Sequence, residues 1–212
     1  VEDHRLTGKA TMEAVGVVLS GKVGKEIVGL VHSAGGRAVG LPGKDAQVIK
    51  AERKQLTRKA EGNLPHEIID IGLVGEPNQI NTEFLSYLCA GDVIPVIAPV
   101  GVGRDGVTYN INADTVAGAV AGAMRAEKLM LLTDVEGVLD KEKKLIPSVK
   151  LSEIEGLKKG GVVSGGMIPK LDGCAKAVKE GCSGAYILDG RRSHALLLEL
   201  FTDEGCGTEV AA

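Results

Sequence analysis

The stretch Val93-Ile94-Pro95-Val96-Ile97-Ala98-Pro99-Val100 is apolar at every position. A half-exposed strand would alternate apolar and polar residues, so an unbroken run fits a strand covered on both faces. Before it, residues 81–90 read as a short helix stopped by Gly91. After it comes a turn-rich stretch, residues 101–106, then a strand through Tyr109 and Ile111 that runs into a Gly/Ala-rich helix over residues 115–126. Residues 128–133 form a second buried strand, followed by the loop Asp134-Val135-Glu136-Gly137. A helix over 152–159, a glycine-rich stretch over 160–166, a helix over 169–181, a strand over 185–188, a helix over 193–201 and a short final strand complete the carboxyl half.

On the amino side, Met12, Val15, Val18, Leu19, Ile27, Leu30 and Val31 recur at helical spacing across residues 10–34. Gly21 and Gly24 are expected to interrupt that helix, and Gly35-Gly36 to close it, as glycines do at helix ends. Residues 37–41 read as a buried strand. Residues 46–53 and 67–74 alternate apolar and polar side chains, the pattern of antiparallel strands. Strands alternating with helices predict an α/β protein, a three-layer α/β/α sandwich around a mainly parallel central sheet. The lobe boundary is expected after Ala126, giving lobes 1–126 and 127–212.

The chain has 212 residues, enough for a substantial core, and only 2% are aromatic, so that core must be aliphatic. The formal net charge is -3 and the basic residues are dispersed, which excludes a nucleic-acid surface built on clustered Lys and Arg. No apolar run reaches the roughly 18 residues needed to span a bilayer. Cys89, Cys174, Cys182 and Cys206 form no Cys-x-x-Cys pair and no zinc spacing with His, so no metal site is expected. Free thiols suit a reducing compartment, the cytoplasm or an organelle interior. The chain starts at Val1 without Met and reads as a processed or truncated sequence.

In open α/β sheets ligands collect at the carboxyl ends of strands. Three such ends carry unusual residues. In Asn110-Ile111-Asn112-Ala113-Asp114 two carboxamides alternate around Ile111 and are expected on one side of the strand, where they can both donate and accept hydrogen bonds. Asp114 precedes a helix, so an ordinary N-cap is its plain alternative role. In the loop after residue 133, Asp134 is placed to accept bonds from a ligand or to be a solvated turn residue. In Ser164-Gly165-Gly166-Met167-Ile168-Pro169-Lys170, glycines expose backbone amides at a helix amino terminus, a setting that suits phosphate. Lys170 sits where the helix dipole disfavours a cation, which an anionic ligand would explain. The element is neither a Walker A loop nor a Rossmann fingerprint. No Ser-His-Asp spacing supports a hydrolase.

Residues 19–25, 38–41, 109–118, 127–139, 161–170 and 189–207 together resemble the amino-acid kinase family, in family order across nearly the whole chain. Within it they resemble the branch that phosphorylates N-acetyl-L-glutamate with ATP and Mg²⁺, in arginine biosynthesis. The resemblance implies that Asp114 organises the active-site lysines and that Lys170 binds the ATP phosphates and stabilises the transferring phosphoryl group. It implies that Asn110 and Asn112 belong to the acetylglutamate site, and that Arg5 clamps a substrate carboxylate. Asp134, Gly165, Gly166 and Met167 match the nucleotide-binding part. The family's opening lysine strand and His-Gly-Gly-Gly loop are not in these residues, so the resemblance implies a chain lacking its first phosphate-gripping segment. The family pattern has Gly-Leu before the clamp arginine, where this chain has Asp3-His4.

The closing residues resemble the arginine-inhibited members, with His194, Glu204 and Gly207 in the segment that forms the L-arginine site. The resemblance further implies a homo-oligomer, the PII signalling protein as a partner in plant and cyanobacterial relatives, and a cytoplasmic or plastid-stroma location. Two alternatives share the fold: an aminoadipate-type kinase, and a non-catalytic arginine-sensing domain.

Overall fold

The computed structural model describes residues 7–58, 67–202 and 205–212. The chain divides into two compact units, Val1–Ala113 and Asp114–Ala212.

The first unit opens with α1 (Lys9–Val15), a π-helical stretch (Gly16–Val23) and α2 (Gly24–Ser33). The junction residues Val15, Gly16, Val23 and Gly24 are all right-handed helical, so this is one continuous helix with a wide middle. The breaks expected at Gly21 and Gly24 do not occur. Gly24 instead lets the wide turn close on itself, because a Cβ there would stand 2.9 Å from the Leu19 carbonyl oxygen. The helix ends as expected: Gly35 adopts φ +86°, and the Gly36 N–H donates to the Val31 carbonyl at 2.9 Å.

The strands of this unit are β1 (Ala38–Pro42), β2 (Ile49–Arg53), β3 (Leu56–Arg58), β4 (Glu67–Ile69) and β5 (Gly75–Ile80), then, after α3 (Thr82–Ala90), β6 (Ile94–Ala98), β7 (Val100–Val102) and β8 (Thr108–Asn110). The apolar run 93–100 therefore becomes two strands, parted at Pro99. Parallel β1 and β6 pair from Ala38↔Ile94 to Pro42↔Ala98, and α2 and α3 pack on them. A second sheet has the order β5-β2-β7-β8, with antiparallel β2/β5 and β7/β8, and β3/β4 is an antiparallel hairpin. Asn81 caps α3: its Oδ1 accepts the Phe84 N–H at 3.1 Å and its Nδ2 donates to the Ala46 carbonyl at 2.9 Å.

The second unit is built around α4 (Ala113–Ala123), β9 (Lys128–Thr133), β10 (Ser148–Lys150), α5 (Ile154–Lys159), α6 (Met167–Lys179), β11 (Gly184–Asp189), α7 (Ala195–Phe201) and β12 (Thr208–Ala211). Its sheet runs β10-β12-β11-β9. The β10/β12 and β9/β11 pairs are parallel and β11/β12 is antiparallel. Helix α6 lies across β9, β11 and β12, burying Leu171, Cys174 and Ala177 against Val149, Ala185, Ile187 and Val210. Thr208 is buried with both roles of its hydroxyl used: it donates to the Ile146 carbonyl at 2.7 Å and accepts the Val138 N–H at 2.8 Å.

The two units part at Ala113/Asp114, at the head of α4, whereas the sequence pattern placed the boundary after it. The reason is packing. Gly118 of α4 lies against the carbonyl of Gly173 in α6, and Gly122 lies against Ala177 and Glu180. Without side chains at 118 and 122 the two helix backbones approach closely, and α4 joins the second unit.

Candidate active site

Glycine geometry sets up the entry to α6. Gly161 and Gly165 take φ +68° and +51°, in the left-handed region that favours glycine. The Met167 N–H returns to the Ser164 carbonyl at 3.2 Å and the Ile168 N–H to Gly165 at 3.1 Å, winding the chain into the helix. The N–H groups of Gly165 and Gly166 have no backbone acceptor among the described residues. Pro169 falls in the first turn, where its missing N–H costs nothing. The following residue is Lys170.

The Lys170 side chain does not swing out to solvent. Its Nζ donates to both carboxylate oxygens of Asp114 at 3.2 Å. Lys170 and Asp114 are 21% and 18% exposed, so the pair is largely withdrawn from water yet still open on one side. Asp114 lies one residue inside α4, and its carboxylate is turned to the lysine, which replaces the plain capping role. Gly173, a turn further along α6, lies under Asp114: a Cβ there would meet the Asp114 carbonyl oxygen at 2.6 Å. The geometry thus comes from glycines holding two helices together and an ion pair spanning their ends.

Cys174 is buried behind this pair. Burial first, and then the negative charge of Asp114, push its thiol up to about 12. A thiol at that value has almost no thiolate at neutral pH. Alkylation by iodoacetamide at pH 8 should therefore label exposed Cys89 and leave Cys174 unmodified in the native protein. Peptide mass mapping showing Cys174 labelled as fast as Cys89 would contradict the packing described.

At the carboxyl edge of the sheet, Asp134 is exposed and accepts a bond from the Thr133 hydroxyl at 3.3 Å. Strand β11 runs beside β9 in register Asp189↔Thr133, so Asp189 ends level with this loop. Asp189 Oδ1 accepts from the Arg191 backbone and Nε at 2.9 Å, and Oδ2 accepts from a terminal guanidinium nitrogen at 2.8 Å. These bonds hold the Asp189 carboxyl down at about 2. Asp134 and Glu136 add to the field that keeps Arg191 charged. Sequence reasoning named Asp134 and missed this Asp189–Arg191 fork. The available signal was Asp189-Gly190-Arg191 at the carboxyl end of a parallel strand.

In the first unit, Asn110 ends β8, so Asn112 lies beyond the strand and the two carboxamides do not share a strand face as expected. Asn110 Nδ2 donates to the Thr7 hydroxyl at 3.5 Å, and its backbone N–H to Leu73 at 2.9 Å. Thr7 is tied in on both sides, its N–H to the Ile71 carbonyl and its carbonyl to the Leu73 N–H at 2.7 Å. Gly72, at φ +78°, makes room for it, since a Cβ would collide with the Thr7 carbonyl. Thr7 and Gly72 were not picked out from sequence. Arg5 and Glu204 lie outside the described residues.

His194 caps α7 in a left-handed conformation, with no side-chain capping bond. Gly207 has a packing role, because a Cβ there would strike the Ile187 carbonyl. The carboxylate that meets turn amides in this segment is Glu199, whose Oε2 accepts the Cys206 N–H at 2.8 Å. Among the described residues no group of three or more His, Cys, Asp or Glu is placed to hold a metal, and no helix is long and apolar enough to cross a membrane.

A parallel α/β unit that sets a lysine against an aspartate at a glycine-lined helix start is suited to phosphate chemistry. The chain belongs to the amino acid kinase family, whose pattern matches residues 1–189. It is 53% identical over 210 residues to the acetylglutamate kinase of Geobacter metallireducens, covering 99% of this chain and 72% of that protein. Among solved structures it is similar to smu.665 from Streptococcus mutans UA159, with TM-score 0.77 and 28% identity over 98% of this chain and 74% of that one. The fold is also that of N-acetylglutamate synthase from Neisseria gonorrhoeae, with TM-score 0.82 and 22% identity over 98% of this chain and 45% of that one.

Proposed function

We propose that the protein is an acetylglutamate kinase, transferring the terminal phosphoryl group of ATP to the side-chain carboxylate of N-acetyl-L-glutamate in arginine biosynthesis. The observation that carries this reading is the Lys170–Asp114 pair at the glycine-lined start of α6, in a chain about half identical to acetylglutamate kinases. The test is a steady-state assay with N-acetylglutamate, glutamate, aspartate and aminoadipate as acceptors. Activity confined to acetylglutamate supports the reading, and a preference for aminoadipate overturns it.

The acceptor is a carboxylate, ionised at neutral pH, so the reaction needs no general base. Catalysis then rests on positioning and on offsetting the charge of the phosphoryl oxygens. In this reading Lys170 donates from Nζ to the phosphate, and Asp114 holds that ammonium in place. The free N–H groups around Gly165, Gly166 and Met167 take phosphate oxygens at the positive end of α6. Asp134 accepts from the nucleotide. Mg²⁺ arrives on the ATP and shares its phosphate charge.

Acetylglutamate falls to the first unit, with Asn110 and Asn112 reading its polar groups and Arg5 gripping a carboxylate. Arg5→Lys should raise the KM for acetylglutamate about tenfold and leave the KM for ATP nearly unchanged, because lysine keeps the charge and loses the bidentate fork. Equal rises in both constants would remove Arg5 from that role. Free L-arginine is the proposed inhibitor, acting through the segment of His194, Glu204 and Gly207. A homo-oligomer, a cytoplasmic or plastid-stroma setting, and association with a PII protein complete the proposal.

A further inference from the structure

Lys158 reaches two carboxylates, Asp172 Oδ1 at 2.5 Å and Glu155 Oε1 at 3.2 Å. Its side chain is only 20% exposed, whereas the lysine of an ordinary surface pair here, Lys144–Glu142, is 75% exposed. Asp172 lies on α6, two residues past Lys170, so the two residues point to different sides of that helix. Lys158 is also where the glycine-rich loop departs. Its carbonyl accepts the Gly161 N–H at 3.1 Å, and the Leu157 carbonyl accepts Val162 and Val163 at 3.0 and 3.3 Å. Val163 is buried in the core and pins the middle of the loop. Both ends of the segment 160–166 are therefore fixed, one by α5 carbonyls and the other by the wound start of α6, and the Lys158–Asp172 pair ties one end to the other.

We propose that Lys158 and Asp172 form a clasp that positions the loop 160–166, and with it the amides of Gly165 and Gly166, for the phosphates of the nucleotide. The proposal rests on the reading of that loop as phosphate-binding. Lys158 touches no reacting atom; it is a positioning residue that acts through the loop. An isolated exposed pair contributes little to stability, on the order of 1 kcal/mol or less. The clasp should therefore show itself in loop order and nucleotide affinity more than in melting temperature.

The experiment compares Lys158→Met, Asp172→Asn and Lys158→Arg in the active protein. Amide hydrogen exchange across residues 161–167 should quicken about fivefold in Lys158→Met and Asp172→Asn, and stay near the parent rate in Lys158→Arg, where the ion pair survives. The KM for ATP should rise by a similar factor in the first two, with the KM for acetylglutamate unchanged. Unaltered exchange in both charge-removing variants overturns the clasp, as does equal disturbance in Lys158→Arg. Faster exchange with an unchanged KM for ATP would overturn its link to the nucleotide. Failure of the phosphate-binding reading itself would appear separately, as normal turnover in Lys170→Ala.

Discussion

Lys170→Ala should lower kcat by about 100- to 1000-fold, the typical cost of removing one preorganised electrostatic contact to the charge that develops in a transition state. The substitution should leave the fold intact. Lys170 and Asp114 remain about one-fifth exposed, so the loss of their pairing is screened and costs on the order of 1 kcal/mol. Lys170→Arg should fall between, since it keeps the charge but replaces a compact ammonium by a planar fork that does not fit the same two Asp114 oxygens. Steady-state kinetics with ATP and acetylglutamate, beside a thermal melt, measures both quantities. A kcat within a factor of about two of the parent would remove Lys170 from the chemistry.

Gly118→Ala should destabilise the second unit by about 3 kcal/mol, a figure in the range for overpacked sites. Helix propensity alone predicts the opposite sign, since alanine is favoured over glycine within a helix by about 1 kcal/mol. The collision decides the outcome. The new Cβ meets the carbonyl of Gly173, which is backbone, and Gly173 itself cannot retreat because it already lies against the Asp114 carbonyl. Gly156→Ala in α5 is the matched control. A Cβ there meets nothing within 4 Å, so the propensity term should stand alone and that variant should gain up to about 1 kcal/mol. Denaturant unfolding of both variants tests the pair. If Gly118→Ala were as stable as Gly156→Ala, the close crossing of α4 and α6 would be wrong. Any separation of the helices at this crossing also moves Lys170 away from Asp114, so activity should fall along with stability.

The sequence made the strands of the second unit legible because they are short, apolar and ended by distinct loops, as in Lys128–Thr133. It did not reveal β5, Gly75–Ile80, whose Gly-Glu-Pro-Asn-Gln-Ile is polar and contains a proline. That strand exists because β2 pairs with it across a bulge at Lys50/Ala51, and Pro77 is tolerated on an edge strand. The long first helix was read as broken because glycine usually weakens a helix, and local propensity does not show a π-helical turn. For the candidate site, Lys170 and its glycines were visible as a local pattern. Its pairing with Asp114 is a contact across 56 positions that depends on Gly118 and Gly173, and no local signal reports such a crossing. The Asp189–Arg191 fork was missed for a similar reason: its place beside Asp134 follows from strand register.

Strand β12 lies between β10 and β11, and those two strands do not pair with each other. During synthesis on a ribosome, residues 148–150 and 184–189 emerge well before 208–211. Until that last strand leaves the exit tunnel, the facing edges of β10 and β11 must wait with their hydrogen-bonding groups unpaired, and Val138 lacks the Thr208 hydroxyl it donates to. The order of strands thus makes completion of the second unit a late, all-at-once event, whereas β1 and β6 can pair as soon as residue 98 is free. The nascent protein spends that interval with an open slot one strand wide, the shape that invites a chaperone or a neighbouring nascent chain to fill it.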